Sequence, residues 1–285
     1  MLDIRTDLAM ERHSINAQRG VDDGVVLKEE DVCGVRVTKA EVLDDEKAGL
    51  KKGVYYTADV GKLWLKSREE RHAATEAIKT LILSLIPSGD SYAVLVVGLG
   101  NKQITPDAIG PTVADGLVIT HHMKLLNKPL YDSLGLGDLS SVVPGVLGQT
   151  GLESAVIIKS AVEKLRPHAV IAVDALAARS VSRLGTTIQL SNAGIAPGSG
   201  VNNGREELSQ DTLGCPVISI GVPTVVDART LAADLVPDGK PVELSNFFVT
   251  PKDTDVMVRV TAKAIASAIN YAVHGDTDVE EYAPL

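Results

Sequence analysis

Three stretches of this chain, Tyr92–Val97 (YAVLVV), Ala169–Val173 (AVIAV) and Val217–Val222 (VISIGV), are apolar without alternation. They end in Gly98-Leu99-Gly100-Asn101, in Asp174 and in Pro223. A strand that never alternates must be covered on both faces, which is the habit of a buried sheet. Helical patterns fall between and after these strands, at about 109–121, 152–165, 224–235 and 251–273. Strand alternating with helix implies α/β: a three-layer sandwich with a mostly parallel central sheet. The last helix carries a start signal, with Thr250 at the N-cap, Pro251 at the first position and Asp253 three residues after the cap. Upstream, 34–43 and 53–64 read as short strands around a Gly-containing turn, giving a small N-terminal β-rich segment over 24–65. An amphipathic helix follows at 66–86, with Ala73, Ala77, Ile78, Leu81 and Leu85 on one face. No internal repeat or low-complexity tract interrupts the pattern.

Composition narrows the function classes. Aromatics are only 3% of 285 residues, so the core must be built from Val, Ile, Leu and Ala. Net charge is −9 and no basic cluster stands out along the sequence, which argues against a nucleic-acid partner. Cys33 and Cys215 are far apart and match no metal spacing; buried free thiols in a reducing compartment are expected. No apolar run reaches the roughly 20 residues of a membrane span, and the first twenty residues lack a signal-peptide core. A soluble, cytoplasmic protein is expected.

Chemistry in open α/β sheets gathers beyond the carboxyl ends of the strands. That rule selects the segment from Gly98, Gly100 and Asn101 on to Thr105-Pro106-Asp107-Ala108-Ile109-Gly110-Pro111, and the segment Val173-Asp174-Ala175-Leu176-Ala177-Ala178-Arg179. Asp107 sits where a helix begins, a position that the helix dipole alone would favour. Asp174 ends a strand of apolar residues, where a carboxylate must be satisfied, and both carboxylates should open onto one sheet edge. Arg179 would pair with Asp174 or anchor the loop. Gly194–Gly204, containing Gly198, Ser199 and Gly200, reads as a connection or a substrate-binding loop. Other signatures are absent. Gln103 stands where a dinucleotide fingerprint needs its third glycine. There is no P-loop, no G-x-S-x-G, no H-E-x-x-H and no pepsin-type D-[ST]-G. His121 and His122 are adjacent on a helix, point about 100° apart and cannot hold a metal together in the usual i, i+4 manner.

The blocks VVGLGN, TPDAIGP, VPGVLGQTGLES, VIAVDALAAR, TTIQLSNAGIAPGSGVNN, LGCPVISIGVPTVVDA and FVTPKDTDV together resemble the germination protease family, from about residue 4 to 274. The family is similar in fold to the hydrogenase-maturation proteases. The resemblance implies an atypical aspartic peptidase, assembled as a homotetramer, that degrades small acid-soluble spore proteins in the spore core during germination. It implies that Asp107 and Asp174 are the catalytic pair. No metal or other cofactor is expected from the residues themselves, because Asp107 and Asp174 supply only oxygens and no third metal ligand is evident. Members of the family are made as zymogens that trim themselves before a bulky apolar residue. Asp7-Leu8-Ala9-Met10-Glu11 fits that site, so residues 1–7 are expected to be a propeptide on a polar, flexible terminus and 8–285 a single peptidase domain. One departure is plain: the span 229–249 is shorter than the charged insert the family carries there. Two other classes remain open from the residues alone. One is a metal-dependent maturation protease or amidohydrolase on the same fold. The other is a module that binds phosphate or nucleotide at the Gly-Leu-Gly-Asn turn.

Overall fold

The computed structural model describes residues 6–18, 20–87, 93–196, 206–235 and 247–275. Among the described residues nine strands form one sheet: β1 Val25–Val32, β2 Val35–Val42, β3 Gly53–Asp59, β4 Ala93–Gly98, β5 Asp138–Val142, β6 Ala169–Ala178, β7 Thr187–Ser191, β8 Val217–Asp227 and β9 Phe248–Val249. Their order is β1-β2-β3-β7-β8-β6-β4-β5, with β9 on β8. The three apolar runs become β4, β6 and β8. These strands and β5 pair in parallel. The remaining pairings among the described residues are antiparallel. The sheet is therefore mixed, which corrects the expectation of a mostly parallel one. The reason is that β3 hydrogen-bonds to β7, so the N-terminal β-rich segment extends the main sheet instead of standing beside it.

The lack of alternation has its expected cause. Val94, Val96, Ile171, Val173, Ile218 and Ile220 face one core with the helices Arg68–Leu85, Ile109–Asp115 and Thr254–His274. Leu95, Val97, Val170, Ala172 and Val217 face a second core under the helix Ser154–Leu165. Each fully buried Val, Leu or Ile in these layers contributes roughly 1.5–3 kcal/mol.

Several local expectations are corrected. β6 does not stop at Val173 but runs on to Ala178, so Asp174 lies inside the strand. Similarly, β8 continues through 224–227, and the helix after it covers only Ala228–Leu235. Both extensions exist because β6 and β8 keep pairing past the end of β4, with a register shift at Leu176/Ala177. The last helix begins at Thr254 with Asp253 as its N-cap. Thr250 instead donates to the Thr224 carbonyl and meets the Thr254 hydroxyl, tying the helix start to β8. At 21 residues this helix is apolar and long enough to cross a membrane, although its sequence is not continuously apolar. Met257, Val258, Ala262, Ile265 and Ile269 pack in the core, so its apolar face is already used. Cys33 is exposed and Cys215 half-buried, not buried as expected. Cys33 and Gly34 make the two-residue turn of the β1–β2 hairpin, both with positive φ, which turns the thiol outward.

Candidate active site

Chain order and sheet order diverge around β4. The chain leaves β4 for β5 on one side, then returns past it to β6 on the other. The crevice at such a reversal is where open sheets place ligands. β4 ends at Gly98, which pairs with Val173, while β6 continues. Asp174 is thus the first residue of β6 with no β4 neighbour. It is 5% exposed, and one carboxylate oxygen accepts the Ala175 amide at 2.9 Å.

Three glycines fold the chain after β4 back onto this point. A side-chain carbon at Gly98 would collide with the backbone of Gly110, and one at Gly110 with the backbone of Leu99 and Val173. Gly100 has φ +109, and a side chain there would strike the Asp107 carbonyl. The Leu99 amide donates to the Val173 carbonyl at 2.9 Å, fastening the turn one residue before Asp174. Asp107 then closes a single helical turn, Thr105–Asp107, that packs against β6 and β8. The Asn101 amide is shared between the Asp107 carboxylate, at 2.8 Å, and the Asp107 carbonyl, at 3.0 Å. The Asn101 side-chain oxygen accepts from the Gln103 amide at 3.0 Å and from Gln149 at 2.8 Å. Asn101 is therefore a support for the loop. The arrangement brings the Asp107 turn and Asp174 to one sheet edge. Gly110 stands in the same tight segment, and sequence reasoning gave it no role of its own, since the backbone it must pass, at Leu99 and Val173, comes from other parts of the chain.

The N-terminal segment reaches the same edge. The Asp7 amide donates to the Ala177 carbonyl at 2.9 Å, and the Ala177 amide donates to the Asp7 carboxylate at 2.8 Å. Gln189 donates to the Asp7 carbonyl and accepts from the Ala9 amide at 2.8 Å. Leu8 is 1% exposed and packs with Leu176, Ala178, Leu184 and Val226. The expectation of a flexible terminus fails for residues 6–18: the segment is docked, because its apolar Leu8 finds a cluster and its carboxylates find amides. Glu11 accepts from the Arg179 amide at 2.7 Å, from the Ser180 amide at 3.0 Å and from the Thr6 hydroxyl. Here the Arg179 backbone anchors the N-terminal helix Ala9–Gln18. Sequence reasoning missed Glu11 as an anchor, since nothing in its spacing announces partners 168 residues away. It also missed Asp227, a buried carboxylate at the end of β8 that caps the next helix through the Arg229 and Thr230 amides. Gly198, Ser199 and Gly200 lie outside the described residues.

Among the described residues no group of three or more His, Cys, Asp and Glu side chains could hold a metal ion. His121 is not at this edge; its Nδ1 lies 2.8 Å from Asp138 at the start of β5.

Residues 4–238 match the germination protease family. The chain belongs to that family. A germination protease of Clostridium acetobutylicum is 37% identical over 99% of this chain and 98% of its own. That of Caldanaerobacter subterraneus subsp. tengcongensis is 37% identical over 96% and 95%, and that of Priestia megaterium 34% over 98% and 96%. Membership makes this chain a peptidase, a hydrolase. The first and third alignments run to 324 and 357 positions against 285 residues here, so those relatives carry residues this chain lacks.

Proposed function

We propose that this chain is the spore-core endopeptidase that degrades small acid-soluble spore proteins at germination, with Asp107 and Asp174 as its water-activating pair. The observation that supports the reading is the glycine-tight turn that packs the Thr105–Asp107 segment against β6, the strand that carries Asp174, where the sheet reverses its order. In the proposed reaction the ionised carboxylate takes a proton from water as the water oxygen attacks the scissile carbonyl carbon. The protonated carboxyl polarises the carbonyl oxygen and then supplies the proton that lets the amine leave. Two carboxyls at one site favour a singly protonated state, and they titrate as a pair. Gly98, Gly100 and Asn101 hold the first carboxyl in place; Gly198, Ser199 and Gly200 belong to the candidate substrate loop.

The zymogen reading places the activating cut between Asp7 and Leu8, releasing residues 1–7 from a peptidase domain spanning 8–285. Asp7 docks on Ala177, three residues beyond Asp174 along β6, or about 10 Å at the rise of a strand. While docked, the bond lies outside the carboxylate pair, so release of the segment must precede cleavage. Protonating Asp7 would weaken its charge-assisted bond with the Ala177 amide and loosen the segment, so trimming is expected to be faster at mildly acidic pH.

A homotetramer is part of the same reading; exposed Leu125, Leu126 and Leu130 supply apolar surface for an interface. The deciding experiment incubates a purified small acid-soluble spore protein with the wild type and with Asp174→Ala, at mildly acidic and neutral pH. Discrete endoproteolytic fragments are expected with the wild type alone. Equal cleavage by a folded Asp174→Ala protein would remove the assignment.

A further inference from the structure

The helices Arg68–Leu85 and Thr254–His274 lie side by side against the sheet. Between their outer surfaces is a cavity of about 880 Å³. Four cations line it: Arg68 and Arg71 from the first helix, and Arg259 and Lys263 from the second. A single carboxylate, Glu69, shares the lining. None of the four cations makes an ion pair among the described residues, although other lysines of the first helix and its approach do, at Lys66–Glu70 and Lys79–Glu76. The contrast is sharp in a chain of net charge −9. Unpaired cations converging on one concavity repel one another and focus a positive potential into it. An anion bound among them relieves that repulsion.

We propose that this cavity is a binding site for a small, multiply charged phosphate-type anion, separate from the aspartate pair. The donor set suits that chemistry: three guanidinium forks match the tetrahedral oxygens of phosphate, and a lysine adds a point charge. The volume falls within the range of small-molecule sites. The cations converge from two helices on one concavity and do not run as a stripe along a single helix, which favours a compact anion over a nucleic-acid strand. Arg71 is half-buried and the other three cations are exposed, so the site has one ordered anchor and an open mouth.

The test titrates sodium tripolyphosphate into the full chain by calorimetry, at roughly physiological ionic strength. Saturable binding of one anion per chain is expected. Arg71→Gln combined with Arg259→Gln should weaken it by at least about tenfold, since two charge-assisted forks are lost. Lys28→Gln, on β1, should leave it unchanged. Lys263→Gln, a fully surface substitution, gives a second reading should the double variant unfold, and should itself weaken binding several-fold. Absence of saturable binding to the wild type overturns the proposal, and so does binding that neither variant weakens. A single-stranded oligonucleotide runs in parallel at equal phosphate concentration; tighter binding of that strand, lost in the same variants, would overturn the small-anion assignment in favour of nucleic acid.

Discussion

Asp174 and Asp107 reach the same edge by different means. Asp174 is presented by a strand that outruns its neighbour, Asp107 by a turn that only glycines permit. Asp107→Asn or Asp174→Asn keeps the shape of the side chain but removes the group that can be either acid or base. Cleavage of a spore-protein substrate should fall to no more than a few per cent of wild type, with an unchanged circular dichroism spectrum; substantial residual activity in either folded variant would dismiss that residue from the pair. Gly110→Ala tests the scaffold. The added carbon meets backbone on two sides and has no flexible side chain to push away. It should cost ~2 kcal/mol or more, read as a lowered denaturation midpoint, and activity should fall further than stability because Asp107 rides on the displaced turn.

At the scale of elements, the N-terminal helix is held by carboxylates acting on backbone amides of the β6 end. Glu11→Ala removes the acceptor for the Arg179 and Ser180 amides and should free the segment. Under the zymogen reading, trimming at Leu8 then proceeds at neutral pH, where the wild type stays intact. Because Glu11 also belongs to the Asp7–Glu11 site, Gln189→Ala, which removes the contacts to the Asp7 carbonyl and the Ala9 amide, is read alongside by intact mass over time, and if neither variant is faster than wild type, docking does not restrain the cut. A second element contact has a defined pH dependence. Burial alone would raise the Asp138 carboxyl, but hydrogen bonds from Lys124 and His121 outweigh it and hold the group below its ordinary value of 3.8. Its folded form therefore binds a proton less readily than its unfolded form. The resulting stability is present above the ordinary carboxylate range and is lost as pH falls through the lower folded value. Asp138→Asn should lose on the order of 1 kcal/mol at pH 7, a modest figure because Lys124 is partly in water. The gap to wild type in thermal scans should narrow as pH falls below the ordinary carboxylate value and through the lower folded one. A gap that persists undiminished there would show that packing, not charge, sets the cost.

At the scale of the whole molecule, β1 and β5 are the end strands of the mixed sheet among the described residues. Leu125 and Leu126 beside β5 are 72% and 83% exposed, an unusual position for two adjacent leucines. If these cover a subunit contact, light scattering at micromolar concentration should give the mass of four 30.0 kDa chains, and Leu125→Glu with Leu126→Glu should reduce it. A wild-type species of single-chain mass would end the tetramer reading.

The sequence by itself determined which strands are buried on both faces and which motif blocks carry the family. Both are local properties: β4, β6 and β8 betray two-sided burial by lacking alternation, and the blocks VVGLGN, TPDAIGP and VIAVDALAAR are contiguous. Asp174 was legible as a candidate for the same reason, since it follows the apolar run Ala169–Val173, whereas Asp107 lies beyond the Gly98-Leu99-Gly100-Asn101 turn, where a helix start drew attention to it. Strand ends were less legible. Whether β6 stops at Val173 or continues to Ala178 depends on β8 continuing beside it, which no window of β6 records. Antiparallel joining of β3 to β7 is likewise a contact between segments more than a hundred residues apart. The docking of Asp7 and Glu11 on Ala177, Arg179 and Ser180 belongs to this class, and so does the basic cavity. Along the chain Arg68 and Arg71 are diluted by Glu69 and Glu70, and Arg259 and Lys263 stand alone among apolar residues. Only the packing of two helices on one face of the sheet sums those charges in one place, because electrostatic potential adds over distance in space and not over position in sequence.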